Sequence, residues 1–205
     1  MSKDFDFLFD IGGPNGYLTH RVLPEFCART GATAHYVPVL LGGLMKATGN
    51  RPPWAVYADV PAKLAYERLE FQRFIDAHAL TRFQMNPHFP INTMSLMRGA
   101  VGVQMHMPGQ FLHYVDTMFR AMWAQPRNMG DAQEIAAVLR EAKLDADQIF
   151  ALAAEPAVKD QLKRNSEEAV ERGVFGAPTF FVGNEMFFGQ DRLEFVAEAL
   201  DALPR

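Results

Sequence analysis

"FDFLFDIGGPNGYL", residues 5–18, decides how the rest of the chain is read. Its first half, Phe5 to Ile11, alternates and is rich in aromatics, the pattern of a β-strand. Its second half hands the chain to a helix. Pro14 suits a first helical position, because its φ is already helical and no N–H is needed there, so Gly13 becomes the N-cap. Leu18, Val22, Leu23, Phe26 and Cys27 then recur at helical spacing, Pro24 is expected to kink the run, and Gly31 ends it. "ATAHYVPVLL", Ala32 to Leu41, reads as a second strand. Strand, helix and strand in this order make a βαβ unit, whose right-handed crossover sets the helix N-terminus at the carboxyl edge of a parallel pair. A glycine at that junction offers a ligand main chain and no side chain.

Further along, residues 61–165 carry little strand signal and repeated helical periodicity, in "AKLAYERLEFQRFIDAHAL", "INTMSLMRGAVGVQM", "QFLHYVDTMFRAMWAQ" and "AQEIAAVLREAKL". The run "ADQIFALAAEPAVKDQLKRNSEEAVERG" reads as one more long helix, and "NPHFP", Asn86 to Pro90, as a rigid loop. At "GVFGAPTFFVGNEMFFGQDRLEFVAEAL" the pattern reverts. Thr179 to Val182 is a strand, Gly183–Asn184 a hairpin turn, Glu185 to Phe188 the return strand, and a helix follows from about Asp191. The expected architecture is therefore α/β, with residues 1–60 and 166–205 forming one domain and residues 61–165 an all-helical insertion.

Composition narrows the function. The 205 residues are 49% hydrophobic, enough for a sizeable core, and the net charge of -4 gives no field that would draw the chain to nucleic acid or anionic lipid. Acidic residues interrupt the apolar N-terminus and no long apolar span follows, so a soluble, cytoplasmic protein with no membrane partner is expected. A single cysteine, Cys27, excludes an internal disulfide and a two-cysteine redox centre, and its place on the buried face of the first helix suits an apolar filler. The six histidines form no HxxxH pair, and no metal is expected. His20 and Arg21, one turn into the first helix, are expected to face solvent.

A βαβ start, a helical insertion and a terminal ββα preceded by "GAPTF" form the thioredoxin-like arrangement of the DsbA kind. Four stretches in order, "GPNGYL" with "HRVLP", "LLGGLMKATGNRPP", "NPHFPINT" and "GVFGAPTFFVGNEMFFGQDRL", make the chain resemble 2-hydroxychromene-2-carboxylate isomerases and, more distantly, kappa-class glutathione transferases. The resemblance runs over nearly the whole chain. It implies that glutathione lies across the N-terminus of the first helix, where the N–H groups of Asn15, Gly16 and Tyr17 and the helix dipole favour its thiolate.

The resemblance also distributes roles. Gly13 stands where relatives carry a serine that donates to the glutathione sulfur, and the Asn15 amide is the candidate to replace that hydroxyl. Ala177, with a cis bond to Pro178, is expected to present its N–H and C=O to the cysteinyl portion as a strand edge would. Gln190 and Asp191 are implied to hold the γ-glutamyl end, Asp191 being otherwise a helix cap, while Asn50 and Lys63 are implied to hold the glycyl and cysteinyl parts. The implied activity is a glutathione-dependent cis-trans isomerisation of 2-hydroxychromene-2-carboxylate, or a similar small aromatic intermediate of aromatic catabolism, under an apolar roof made by the insertion. In it the thiolate adds to the conjugated carbon, the bond rotates, and elimination follows. A kappa-like transferase and a non-catalytic glutathione-binding protein are the alternatives, the last because Gly13 lacks the hydroxyl. Relatives of this kind suggest a homodimer.

Overall fold

The computed structural model describes residues 3–203. The opening alternation becomes β1 (Asp4–Phe9), and Pro14 starts α1 (Pro14–Thr30), with Gly13 as N-cap and Gly31 as a left-handed C-cap at φ 69°. β2 (Thr33–Pro38) pairs with β1 in parallel, Phe7 opposite Tyr36. It is followed by α2 (Leu41–Thr48), α3 (Pro53–Val56), α4 (Pro61–Ala77), α5 (Met94–His106), α6 (Phe111–Trp123), α7 (Ala132–Glu141), α8 (Ala146–Ala154) and α9 (Pro156–Glu171). The chain then returns through β3 (Thr179–Val182) and β4 (Glu185–Phe188), joined by Gly183–Asn184 with Gly183 at φ 58°. A 3-10 turn at Gln190–Arg192 leads into α10 (Leu193–Ala202). The sheet order is β2-β1-β3-β4 with β3 antiparallel to β1, the thioredoxin-like arrangement expected from the sequence.

β1 is buried on both faces, and this sets the layers. Phe5, Phe7 and Phe9 enter the main core, where Phe7 stacks between Phe9 and Phe180 at ring separations of 5.5 and 5.6 Å. Leu8 points the other way, into a smaller cluster with Val39, Leu44, Ala169, Val174 and Phe181. The helical segments join the main core through α6, whose Tyr114, Met118, Phe119, Met122 and Trp123 are buried.

Three expectations fail for identifiable reasons. The second strand does not reach Leu41: the Leu40 N–H donates to Ser166 Oγ at 3.0 Å and the Leu41 N–H to Asp10 Oδ2 at 2.8 Å, so acceptors remote in sequence start α2 there. The long helix over residues 146–173 is two helices. Glu155 is extended at φ -61° and ψ 136°, as a residue before proline prefers, and Pro156 begins α9. α9 continues unbroken through residues 165 and 166 and packs on α2, α5, α8 and β2. The final helix likewise begins at Leu193, after the 3-10 turn, and not at Asp191.

α5 approaches its neighbours closely because two of its residues lack a Cβ. A Cβ on Gly99 would overlap the Tyr114 hydroxyl, and one on Gly102 would stand 2.8 Å from Leu152 Cβ. The Tyr114 hydroxyl in turn donates to the Leu96 carbonyl at 2.8 Å in a fully buried site. Gly99→Ala should therefore lower the unfolding free energy by about 1–3 kcal/mol through overpacking. Gly109→Ala, where a Cβ meets nothing within 4 Å, should be neutral or slightly stabilising in the same urea titration. Equal midpoints for the two variants would contradict this account.

Candidate active site

The link from β1 to α1 is fixed before any ligand arrives. Asp10 is buried, and its carboxylate accepts the Gly12 N–H at 2.8 Å, the Leu41 N–H at 2.8 Å and the Thr93 hydroxyl. The Asp10 carbonyl accepts the Gly13 N–H at 3.1 Å. Trp123 Nε1 donates to the Ile11 carbonyl at 2.8 Å, which ties the same loop to α6. Burial pushes the Asp10 carboxyl above the usual carboxylate range, and the three hydrogen bonds act against that shift.

At the tip itself no side chain caps α1. The Gly13 carbonyl accepts both the Gly16 N–H (3.0 Å) and the Tyr17 N–H (3.3 Å), which corrects the expectation that Asn15, Gly16 and Tyr17 all offer donors. The Asn15 N–H is the first-turn donor left without a protein acceptor among the described residues, and Asn15 Oδ1 is buried without a partner. The Ala177 carbonyl lies 3.9 Å from where a Gly13 Cβ would stand. Neither the N–H nor the C=O of Ala177 has a partner among the described residues, and the Ala177–Pro178 bond is cis. Gly13, Asn15, Ala177 and Pro178 are thus brought together.

The remaining candidates stand apart in differing degrees. Asn50 Nδ2 donates to the Phe175 carbonyl at 2.9 Å, so its amide props the loop that leads to Pro178. Lys63 is exposed, with its ammonium 3.6 Å from the centre of the Tyr57 ring. Gln190 and Asp191 border a small cleft of about 220 Å³ shared with Val22, Phe26 and Arg29, farther along α1. Asp191 does not cap a helix: its carboxylate pairs with Arg192 at 2.7 Å.

The family model described as a DSBA-like thioredoxin domain matches residues 5–201. The chain belongs to this family. It is 26% identical over 200 residues to the 2-hydroxychromene-2-carboxylate isomerase of Sphingobium xenophagum, covering 98% of this chain and 99% of that protein. It is also 26% identical over 216 residues to human glutathione S-transferase kappa 1, covering 98% and 92%. A solved structure of 2-hydroxychromene-2-carboxylate isomerase superposes with a TM-score of 0.79 at 26% identity, over 97% of this chain and 94% of that one. The resemblance read from the sequence is therefore correct at the level of family, and the chain joins the DSBA-like members related to these isomerases and kappa transferases.

Within this DSBA-like frame, sequence reading missed two features. His20 is buried and not solvent-facing. Its ring stacks on Phe119 at 5.2 Å, Nδ1 lies 2.9 Å from the Tyr36 hydroxyl, and Nε2 lies 3.5 Å from Asp116. Arg21 (3.0 Å) and Arg120 (3.6 Å) also reach Asp116, whose carboxyl is held below the usual range, chiefly by the His20 hydrogen bond. This polar joint fastens α1, β2 and α6 behind the tip. Asp10 was the other omission, and its signal was present: an acid ending an aromatic strand just before a glycine pair.

Cys27 is half-buried and packs against the core, with its thiol pushed up by burial. No group of three or more His, Cys, Asp or Glu among the described residues is placed to hold a metal, and no helix among them is long and apolar enough to cross a membrane.

Asp10→Ala should cost about 2–3 kcal/mol by leaving the Gly12 and Leu41 N–H groups without their acceptor. The pH dependence has a definite sign. A carboxyl whose folded-state pKa is raised stabilises the fold at pH below its unfolded value, near 4, and that contribution is lost as pH rises through the raised value. The stability of the parent relative to Asp10→Asn should therefore shrink from acidic to neutral pH in urea titrations. A difference that grows would refute the assignment.

Proposed function

We propose that this chain binds glutathione at the tip of α1 and is a glutathione-dependent isomerase of 2-hydroxychromene-2-carboxylate or a similar unsaturated aromatic carboxylate. One observation carries the reading: the unpartnered N–H and buried Oδ1 of Asn15 and the unpartnered main chain of Ala177 converge at a helix tip that no side chain caps. These groups fit the cysteinyl part of the tripeptide. The Ala177 N–H and C=O suit an extended peptide backbone. Asn15 Oδ1 is an acceptor in want of a donor, which an amide hydrogen of the peptide supplies, and the Asn15 N–H together with the α1 dipole favours an anionic sulfur.

Bound there, glutathione supplies the sulfur nucleophile for reversible addition to a conjugated double bond. The chain has only Cys27, which lies about 20 Å along α1 from Pro14. The protein's own residues hold and orient. Asp10 and Trp123 fix the loop, so that the tip donors point outward in advance, and Gly13 leaves room for close approach of the sulfur to the main chain. The similarity to kappa transferases supports conjugation to electrophiles by the same sulfur as a second reading. The bare Gly13 supports a third, glutathione binding without turnover.

Gly13→Ser separates these readings. Gly13 has φ -90° and ψ 120°, open to any residue, and an added Cβ comes no nearer than 3.6 Å to its neighbours, so the variant should fold as the parent does. A hydroxyl placed on an anionic sulfur is worth roughly 1.5–3 kcal/mol, so the glutathione-dependent rate should rise about 10- to 100-fold. The rate is read from the absorbance of the chromene carboxylate, alongside a chlorodinitrobenzene conjugation assay. Activity that appears only in the serine variant makes the parent a binding protein. Absence of glutathione binding in calorimetry sinks all three readings.

A further inference from the structure

A groove bounded by α2, α5 and α9 opens beside the α1 tip. Leu40 and Met94 line it, and their chain neighbours Leu41 and Thr93 face Gly13 and Gly12: Leu41 Cδ2 is 3.9 Å from a Gly13 Cβ position, and Thr93 Cγ2 is 2.8 Å from that of Gly12. Its volume is about 840 Å³, of the size that takes small-molecule ligands. Leu40, Met94, Leu162 and Val170 give it apolar walls.

Arg98 breaks that pattern. It borders the groove from α5, its Nε is buried without any acceptor, and no ion pair engages its guanidinium among the described residues. A buried donor left unmade is costly, and a ligand oxygen would recover that cost. Other charges border the same groove. Lys163 is paired with Glu167 at 3.6 Å, while Lys159, Asp160 and Glu171 are exposed on α9, where water screens them. Arg98 is therefore the charge on this groove with a buried, unmet hydrogen-bonding position, and it is positive.

We propose that this groove is the subsite for the acceptor substrate, and that Arg98 binds the carboxylate of an aromatic acid whose body lies along the apolar walls. The planar guanidinium edge that includes Nε matches a carboxylate with two parallel hydrogen bonds, a fit that lysine lacks. The orientation of the reacting carbon toward the α1 tip rests on the function proposed above; the recognition of the anion does not.

The test uses unreactive ligands, 2-naphthoate and its neutral counterpart 2-naphthamide, titrated calorimetrically into the parent, Arg98→Met and Arg98→Lys. The parent should prefer the acid by about 10- to 100-fold, the energy of a charge-assisted pair. Arg98→Met should erase that preference, and Arg98→Lys should retain part of it, with thermal melts showing both variants folded. Should Arg98→Met not fold, the acid-to-amide ratio in the parent and the Lys variant decides. Equal affinities for acid and amide in the parent, no binding of either, or a preference that survives Arg98→Met overturns the assignment. Naphthoate should also bind with glutathione already present, and displacement of glutathione would place the acid at the tip and overturn it too. If the parent binds naphthoate selectively but not glutathione, the proposed function fails and the subsite stands.

Discussion

A single buried carboxylate, that of Asp10, determines where three elements begin. One oxygen accepts the Gly12 N–H and shapes the turn that presents Gly13 to α1; the other accepts the Leu41 N–H and starts α2; the Thr93 hydroxyl brings in the N-terminus of α5. A group that makes so many bonds in a dry setting tolerates little displacement, because each lost bond exposes an unsatisfied buried partner. The loop is held from the opposite side by Trp123, whose indole donates to the Ile11 carbonyl. Between these two clamps, residues 11–13 have one geometry available to them.

That rigidity gives meaning to a tip without a side chain. A flexible loop of glycines would offer a ligand nothing definite, since the entropy of ordering it would cancel the hydrogen bonds gained. Here Gly12 and Gly13 have their N–H groups already engaged by Asp10, and the donor left over, that of Asn15, sits at a helix terminus where the dipole adds to it. The absent hydroxyl at Gly13 therefore removes one strong contact without loosening the others. The missing contact would govern the energy of an anionic sulfur more than the affinity for a peptide backbone, which Ala177 addresses separately.

What could be read from the sequence was what its own neighbours decide. Pro14 and Gly31 bound α1 as expected, and Gly183–Asn184 makes the hairpin, because each of these signals acts within a few residues. α2 was not legible. Its first N–H groups find acceptors in Asp10 and Ser166, 31 and 126 residues away, and two glycines weaken its own propensity. His20 failed for the same reason, since α6 supplies both the Phe119 face and the Asp116 charge that bury it. The break at Pro156 is a different case: the residue was in view, and helical periodicity on both sides concealed it. In the candidate site, the sequence motifs place Gly13, Asn15, Ala177 and Pro178 together, whereas Arg98 carries no sequence signal, because its empty hydrogen-bonding position depends on the groove formed by α2, α5 and α9.

The two halves of the candidate machinery come from different parts of the chain, and this places a demand on the fold. The tip belongs to the strand-helix unit, and Arg98 belongs to α5. A reaction between a sulfur held at one and a carbon held by the other depends on their separation to within about 1 Å. Loose packing between sheet and helices could not supply that precision. The Asp10–Thr93 hydrogen bond and the Trp123–Ile11 hydrogen bond can, because each ties the β1–α1 loop directly to a helix bordering the groove or packed against it. Gly99 and Gly102 continue the same connection inward, letting α5 seat against α6 and α8 at distances that no other residue would permit. The buried polar contacts around the loop thus fix the distance between the α1 tip and the groove that Arg98 borders, and the same hydrogen bonds offset the cost of a carboxylate in the interior.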